Sequence, residues 1–288
     1  MVIYIMDGFF IVNKPKGITS FGVCNKIKHL TGEKHVGHTG TLDPDTTGVL
    51  VVGVGKACKL MSLLNEHDKE YETTIMLGKS SDTLDISGNI LEDVKTNISN
   101  DNILNAIDSL SKKESQVPPM YSAIKVNGKK MYELAREGKS VELKERNVKI
   151  YSYDVKKIYE IDGYQAIDIR ISVSKGFYVR SFARDLGEIL GVPSLMYELK
   201  RISAGEYNIN DSILLDNIKV EDLISIDLMF DFEKLYVNDF IAKLAKNGVA
   251  FDERQIITDK PFKIYNNNSL IAIYEPVGDK KYKPIVIL

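Results

Sequence analysis

Runs of apolar residues predict strands at four places in the first two thirds of the chain. They lie at residues 9–13, 49–54, 71–77 and 165–173. The run 49–54 (VLVVGV) is continuously apolar, which is typical of a strand buried on both faces in the middle of a sheet. Residues 165–173 alternate apolar and polar side chains instead, as in a strand with one buried face.

An α-helix is predicted over residues 19–31. Thr19 or Ser20 is its candidate N-terminal cap, and Gly32 ends it. Apolar side chains at positions i, i+4 and i+7 share one helical face and are expected to be buried. They are Val23, Ile27 and Leu30.

Two further helices are predicted at residues 100–110 and 177–190. The first has Asn100 or Asp101 as its candidate cap and places three apolar side chains on one face. The second carries Arg180 near its start.

From about residue 232 the pattern changes to a short helix, at residues 238–245, followed by small strands. Three asparagines at 266–268 form a turn signal between two apolar runs, and residues 283–288 supply a final strand. We therefore divide the chain into a domain of residues 1–231 and a small β-rich module of residues 232–288.

Asp43 lies in a loop suited to holding a carboxylate. Residues 37–50 read GHTGTLDPDTTGVL. The glycines permit backbone angles that a Cβ would block, the threonine hydroxyls can bond to nearby main chain, and Pro44 biases Asp43 toward an extended conformation. Asp-Pro is also a common turn opener, so a plain connection stays open. Because the loop precedes the strand predicted at 49–54, however, Asp43 would be carried by a rigid central element, where catalytic groups are often found.

The composition is that of a globular protein. The chain has 288 residues, of which 44% are hydrophobic, enough for one large domain and a small one. Cys24 and Cys58 cannot form a disulfide framework, and no basic-then-apolar leader opens the sequence, so we expect a cytoplasmic protein. No apolar stretch approaches the roughly 20 residues that a membrane-spanning helix needs, and we expect no membrane role.

The net charge of -2 is unevenly distributed. Residues 123–159 contain ten basic and five acidic side chains, whereas residues 206–239 contain two basic and nine acidic ones. A solvated surface is one interpretation of either segment. In the basic segment, interleaved tyrosines add groups on which bases can stack, which favours RNA binding there.

The sequence does not match the motifs of several other enzyme classes. GVGK at residues 53–56 lacks the upstream glycine and the following Ser or Thr of a phosphate-binding loop, and Cys58 stands at the third glycine position of a dinucleotide fingerprint. Four histidines and two isolated cysteines form neither a CxxC pair nor HExxH, so we expect no metal site. Ser122 has no nucleophile-elbow motif around it.

The Asp43 loop resembles the catalytic motif of the TruB family of tRNA pseudouridine synthases. Five further segments resemble family motifs, in the family's order and at its spacing. They are FIVNKPKGITS (10–20), KEYETTIMLG (69–78), DTLDISG (82–88), QVPPMYSAIKVNGKKMYELAR (116–136) and SKGFYVRSFARDLGEIL (174–190). Chance agreement at six ordered sites is negligible beside the error rate of any single motif.

The resemblance implies an α+β fold, with a mixed, largely antiparallel β-sheet flanked by helices and a PUA-like module at the C-terminus. A plain β-rich tail that stabilises the core stays open, because the match there is weak. The resemblance also implies an activity that needs no cofactor or metal, the conversion of uridine 55 in the T loop of tRNA to pseudouridine. The base is flipped out, its N1–C1′ bond breaks and a C5–C1′ bond forms. By the same resemblance the protein is a monomer with no obligatory protein partner.

Three residues match the family's catalytic positions. Asp43 matches an aspartate that attacks the base, bonds to C1′ or abstracts a proton. Arg180 matches the arginine that pairs with it through a bidentate bond and keeps it ionised. Tyr71 matches the tyrosine that stacks on the target base. A surface arginine and a half-buried strand tyrosine are the plain alternatives.

Other matched positions concern binding. His38 matches a histidine that fills the gap left by the flipped uridine, and Tyr178 and Leu199 match positions around the base, although a leucine at 199 also fits the core. Lys14 either supports the loop or contacts a phosphate. Residues 125–150 correspond to an insertion that closes over the RNA, and its basic side chains are expected to bind RNA. They are Lys125, Lys129, Lys130 and Arg136.

Two other functions stay open. One is a non-catalytic RNA chaperone or binding module that uses the same groove, and the other is a pseudouridine synthase for another RNA, including a guide-directed one. The presence of Asp43, Tyr71 and Arg180 favours catalysis, and the short C-terminal tail favours an enzyme that acts alone.

Overall fold

The computed structural model of this protein describes residues 6–65, 68–122, 125–126, 129–131 and 143–288. Its largest element is a mixed sheet of ten strands. Seven of them follow one path, in the order β11 (Ile150–Ile161), β12 (Tyr164–Val173), β4 (Lys69–Leu77), β13 (Ser194–Ala204), β3 (Thr47–Val54), β1 (Gly8–Lys14) and β15 (Ile213–Leu214). Three more pair at its side: β2 (Val36–His38) with β3, β14 (Tyr207–Asn208) with β13, and β16 (Ile224–Ser225) with β1.

Neighbouring strands of this sheet run antiparallel, except that β13 is parallel to β3 and β1 is parallel to β15. The strands expected from apolar runs in the first two thirds of the chain are all present. The α+β fold class with a mixed, largely antiparallel sheet is therefore confirmed.

A short parallel ladder joins the two halves of the sheet. β13 pairs with β3 at two positions only, Lys200 with Thr47 and Arg201 with Gly48. The loop that precedes β3, which contains Asp43, therefore enters the sheet at the junction between the halves.

β3 is buried on both faces, as its continuous apolar run predicts. Val49 and Val51 pack into one hydrophobic cluster, whereas Leu50 and Val52 pack into another on the opposite face. A strand held in this way gives the loop before it a rigid base.

The first predicted helix spans Ser20–Thr31. Thr19 caps it, with its hydroxyl accepting from the Gly22 N–H at 2.9 Å, and Gly32 ends it in the left-handed conformation. Ser20 lies inside the helix, so Thr19 is the N-terminal cap and Ser20 is not.

The apolar stripe of this helix differs from the expectation at one position. Val23 and Ile27 are buried, but Leu30 is 38% exposed, and Cys24 is buried beside the other two. The buried stripe therefore ends one turn earlier than predicted.

Two other helices also match predicted segments. Asn100–Ser111 is capped by Ser99, whose hydroxyl accepts from the Asn102 N–H at 3.3 Å, so both candidate caps named from the sequence were wrong. Ser99 has the extended backbone that a cap requires, whereas Asn100 is already helical. The third helix, Val179–Leu190, is called the Arg180 helix below and begins two residues later than predicted.

Short elements complete the large domain. They are the helices Met61–Asn65 and Ile226–Met229, the 3-10 turns Gly55–Leu60, Ile209–Asp211, Leu215–Asn217 and Val220–Asp222, and three strand pairs, β5 (Lys79–Ser81) with β6 (Ile90–Asp93), β7 (Ser115–Gln116) with β10 (Arg146–Asn147), and β8 (Lys125–Val126) with β9 (Lys129–Lys130).

The C-terminal part forms a second sheet. Its strands follow the order β17 (Glu233–Tyr236), β19 (Phe262–Asn266), β20 (Ser269–Pro276), β21 (Lys281–Ile287) and β18 (Phe251–Asp252). The predicted helix spans Asp239–Lys246 and is capped by Asn238. Asn267 and Asn268 have positive φ angles of 47° and 60° in the turn between β19 and β20, as the asparagine signal predicts.

The C-terminal sheet packs on the large domain. Ile273 and Val286 of the sheet share a hydrophobic cluster with Phe9 and Phe230. The division at residues 231 and 232 stays a prediction, but the two parts have a common core at this contact. None of the helices within the described ranges is long and apolar enough to span a membrane.

Candidate active site

Asp43 lies in the loop between β2 and β3, at the junction of the two sheet halves. The loop passes so close to β13 that a Cβ on Gly48 would stand 2.1 Å from the Arg201 carbonyl oxygen, and Gly48 has a φ of +106°. Gly40, with a φ of +60°, packs against the Arg201 guanidinium. These glycines therefore permit the close approach that the sequence predicts for the loop.

The Arg180 guanidinium forms an ion pair with the Asp43 carboxylate. Its Nη2 lies 3.1 Å from Asp43 Oδ2 and also donates to the Tyr121 carbonyl at 2.9 Å. Its Nη1 donates to the Thr83 carbonyl at 3.2 Å and lies 3.8 Å from Asp85 Oδ2. The guanidinium therefore divides its donors among several partners and does not present both nitrogens to Asp43 as a bidentate pair.

Burial and Arg180 act in opposite directions on Asp43. The carboxylate is 42% exposed on the side that faces the cavity, while the Arg180 side chain is almost fully buried. Desolvation by the surrounding protein raises the pKa of Asp43, and the Arg180 charge opposes this rise. The net pKa lies above the ordinary value, so Arg180 limits the rise without reversing it.

Asp85 is a second carboxylate at the site. It is buried, and its Oδ1 accepts from the Thr83 hydroxyl at 2.7 Å and from the Ser87 hydroxyl at 2.6 Å. Its other oxygen is the one that faces Arg180. The arginine thus lies between two carboxylates, one buried and one open to the cavity.

Lys14 lies beneath the Asp43 loop and is fully buried. Its ammonium donates to the carbonyls of Ile18, Pro15 and Pro44, at 2.7, 3.0 and 3.1 Å. Desolvation lowers its pKa from 10.5 to about 8. All three donors are directed at main chain, one of them at the residue after Asp43.

Tyr71 is buried in β4 and is joined to Arg201 by a side-chain hydrogen bond, in which the guanidinium donates. Arg201 is itself 2% exposed, and it donates from Nε to the Val49 carbonyl at 2.7 Å and from Nη2 to the Gly40 carbonyl at 2.9 Å. One buried arginine therefore connects the tyrosine, the central strand and the Asp43 loop.

His38 lies at the start of the same loop. Its Nδ1 is buried and has no hydrogen-bond partner among the described residues. Desolvation lowers its pKa, and the nearby charge of Arg201 adds to this effect, so the neutral ring is favoured.

Tyr178 and Leu199 lie on different elements, and of the two only Leu199 lines the cavity described below. Tyr178 immediately precedes the Arg180 helix, forms a side-chain hydrogen bond with Ser122, and has its pKa raised by burial. Leu199 lines the cavity and also packs against the hydrophobic cluster that contains Tyr71, so it belongs to both pocket and core.

A cavity of about 610 Å³ opens beside Asp43, within the range of about 300–1,000 Å³ typical of small-ligand sites. Its walls include residues 43–46 of the loop, Thr47 of β3, residues 72–74 of β4, residues 85–87 and residues 196–200 of β13. The described part of the chain contains no cluster of three or more His, Cys, Asp or Glu side chains that could hold a metal ion.

The expected RNA-binding residues are only partly placed. Lys125, Lys129 and Lys130 belong to the strand pair β8–β9, of which the backbone alone is described, and Arg136 lies outside the described residues.

Asp85 and Arg201 are two residues of the site that were not predicted from the sequence. Asp85 lies in the segment DTLDISG, whose resemblance to a family motif was a signal for it. Arg201 follows Lys200 in a strand, and nothing in its local pattern shows which of the two is buried.

Comparisons with known proteins identify relatives of this chain along nearly its whole length. Residues 28–179 match the family model described as TruB family pseudouridylate synthase (N terminal domain). A protein named tRNA pseudouridine synthase B from Aster yellows witches'-broom phytoplasma (strain AYWB) is 39% identical over 282 residues, which cover 97% of this chain and 99% of that protein. The protein of the same name from Acholeplasma laidlawii (strain PG-8A) is 41% identical over 280 residues, with 96% and 98% covered.

Solved structures show the same fold. A chain from the crystal structure of a Cbf5-Nop10-Gar1 complex has a TM-score of 0.69 at 22% identity, covering 99% of this chain and 84% of that one. A chain from the structure of an H/ACA RNP bound to a substrate RNA containing 2′-deoxyuridine has a TM-score of 0.64 at 21% identity, covering 97% and 83%. At such identities the likeness concerns the fold alone.

Proposed function

This chain belongs to the TruB family of pseudouridine synthases, which are isomerases, and we propose that it converts uridine 55 in the T loop of tRNA to pseudouridine. The observation that carries the proposal is the carboxylate of Asp43, which is paired with Arg180 and open to a cavity of nucleoside size. Curated relatives named tRNA pseudouridine synthase B match along nearly their whole length, which supports tRNA as the substrate.

In this proposal Asp43 is the catalytic carboxylate. The reaction breaks N1–C1′, rotates the base and joins C5 to C1′; C5 loses a proton and N1 gains one from solvent, so substrate and product have the same atoms. A carboxylate can stabilise or trap the electron-poor sugar that bond cleavage leaves, provided that it is ionised. Arg180 opposes the rise in the pKa of Asp43 and so favours the ionised form.

Other side chains bind and orient the nucleotide. Tyr71 stacks on the target base, Tyr178 and Leu199 enclose it, and neutral His38 occupies the gap that flipping leaves in the RNA stack. Taking a base out of its stack costs a few kcal/mol, which a replacing ring offsets. Lys14 supports the Asp43 loop from below, because its ammonium already bonds to three carbonyls.

Electrostatic attraction to the RNA is assigned to the segment of residues 125–150. Lys125, Lys129, Lys130 and Arg136 contact phosphates there. We further propose that the enzyme works in the cytoplasm as a monomer without a protein partner or cofactor, and that residues 232–288 form a PUA-like domain.

The test is release of tritium from a tRNA transcript labelled at uridine C5. Wild type should release one tritium per tRNA, a transcript with cytidine at position 55 should release none, and Asp43→Asn should bind tRNA without releasing tritium. Wild-type binding with no release would favour the chaperone alternative. Release that persists with cytidine 55 would point to another uridine or another RNA, and full activity of Asp43→Asn would refute the role of Asp43.

A further inference from the structure

Gln116 makes two hydrogen bonds to the main chain of one residue. Its Nε2 donates to the Tyr178 carbonyl at 3.1 Å, and its Oε1 accepts from the Tyr178 N–H at 2.9 Å. Gln116 is buried, and its own strand β7 pairs with β10 through Arg146. The carboxamide therefore holds the backbone of Tyr178 from an element remote in sequence.

Tyr178 is the residue from which the Arg180 helix starts. It has extended backbone angles, makes no side-chain capping bond, and its carbonyl accepts the first helical bond from Phe182 N–H at 3.1 Å. Arg180 is the second residue of the helix, so the conformation of Tyr178 sets the position and direction of the Arg180 side chain.

The segment that follows Gln116 bonds to the same end of the helix. The Val117 carbonyl accepts from the Ser181 hydroxyl at 2.8 Å and from Arg184 Nη2 at 3.1 Å. The Tyr121 carbonyl accepts from Arg180 itself. The first two turns of the helix are thus bonded to residues 116–121 at several points, beginning with the pair made by Gln116.

We infer that Gln116 is a positioning residue that holds the start of the Arg180 helix so that the guanidinium of Arg180 meets the carboxylate of Asp43. The inference rests on the proposed function, in which Arg180 keeps Asp43 ready to react. Gln116 itself touches neither the cavity nor Asp43. Its effect on the reaction passes through Tyr178 and Arg180.

The chain contains a matched control for this inference. Gln165 makes the same pair of bonds, accepting from the Ile98 N–H at 2.7 Å and donating to the Ile98 carbonyl at 2.8 Å. Ile98 lies just before another helix, Asn100–Ser111, which carries no residue of the proposed site. Gln165→Met therefore removes the same chemistry as Gln116→Met, away from the reaction.

The experiment compares these two variants with wild type in single-turnover conversion of the tritiated tRNA at saturating enzyme. Both should fold, with similar losses in Tm. Only Gln116→Met should lower the rate constant, by roughly 10- to 100-fold, as expected when a catalytic group is displaced by about 1 Å. The Kd for tRNA should change little. Gln116→Glu keeps the bond from the Tyr178 N–H and should lose less activity than Gln116→Met.

Two further measurements separate positioning from general destabilisation. If Arg180 is displaced, the pKa of Asp43 rises, so the acid limb of the rate against pH should move to higher pH in Gln116→Met but not in Gln165→Met. The groups that act on Asp43 in this profile are Arg180, Lys14, Asp85, Asp45 and Tyr178. In an Arg180→Lys background, adding Gln116→Met should change the rate less than twofold.

The inference is overturned if folded Gln116→Met keeps a rate within twofold of wild type, if Gln165→Met loses as much, or if the Gln116 and Arg180 effects multiply in the double variant. An inactive wild type would instead refute the proposed function itself.

Discussion

Raising the pH through about 8 should remove the proton from Lys14, and we expect the folded protein to become more stable as a result. Lys14 is fully buried, and burial lowers the pKa of its ammonium from 10.5 to about 8, against the opposing charges of Asp43 and Asp45. In the unfolded chain the ammonium is hydrated and keeps its ordinary pKa.

The sign and size of the effect follow from these two values. Between pH 8 and 10.5 the folded protein binds fewer protons at Lys14 than the unfolded chain does, so its stability rises with pH in that window. At about 1.4 kcal/mol per pKa unit, the free energy of unfolding rises by about 3 kcal/mol over this pH range. Lys14→Met has no proton to lose there. The free energy of unfolding of wild type minus that of Lys14→Met should therefore increase by about 3 kcal/mol across the window.

Urea unfolding of both proteins at pH 7, 8, 9 and 10 measures this difference. Groups other than Lys14 titrate in both proteins and largely cancel. Lys16→Met is the control, because Lys16 lies two residues along the chain and is exposed, and its difference from wild type should stay flat. A Lys14 difference that is constant or that falls with pH would refute the reasoning.

Activity should move in the opposite direction. A neutral amine has two N–H donors for the three carbonyls that the ammonium now serves, and the bond to the Pro44 carbonyl is the longest of them. Its loss would loosen the loop that carries Asp43. The single-turnover rate of wild type should therefore fall above about pH 8 while its stability rises.

Three other predictions concern buried and surface charges. Arg201→Met should lower the free energy of unfolding by several kcal/mol, at about 1–3 kcal/mol for each buried group left without a hydrogen bond. It should also lower the single-turnover rate, because Tyr71 and the Asp43 loop both lose their hydrogen bond to Arg201. An active, stable variant would contradict this. Lys263 is buried and donates to Asp227 at 2.8 Å, so Lys263→Met should destabilise the contact between the C-terminal sheet and the helix Ile226–Met229 by about 1–3 kcal/mol in urea unfolding. Lys280→Met, which breaks an exposed ion pair, should cost much less. Equal losses would exclude a role for Lys263 in docking. Reversing Lys129 and Lys130 to glutamate should weaken tRNA binding and flatten its salt dependence, and an unchanged salt slope would remove this segment from the RNA-binding surface.

Local pattern was sufficient for much of the fold. The strands β1, β3, β4 and β12 are predicted by apolar runs or by alternation, because the order of apolar and polar residues along a strand shows which of its faces are buried. Ends of elements were less certain, because a cap is chosen by backbone geometry: Ser99 has the extended conformation, although Asn100 and Asp101 are equally good capping side chains.

Some residues of the candidate site were likewise predicted from the sequence and others were not. Asp43 and Arg180 were identified from ordered motifs, and the structure brings them to 3.1 Å of each other. Arg201 could not be found from its strand, because its partners at Val49 and Gly40 lie 152 and 161 residues away along the chain. Asp85 and Gln116 lie in recognised motifs, but the residues that link them to the Arg180 helix, Arg180 and Tyr178, are likewise distant in the chain.

Local sequence pattern is sufficient for the strands β1, β3, β4 and β12, for the main helices and for the carboxylate in the loop, because periodic burial and backbone freedom are local properties. The strands β11 and β13 were not predicted from it. How that carboxylate is held and charged follows from contacts that form on folding. Hydrogen bonds to buried main chain, such as those of Lys14, Gln116 and Arg201, and the competition between desolvation and Arg180 over the pKa of Asp43, depend on distances between residues far apart in the chain.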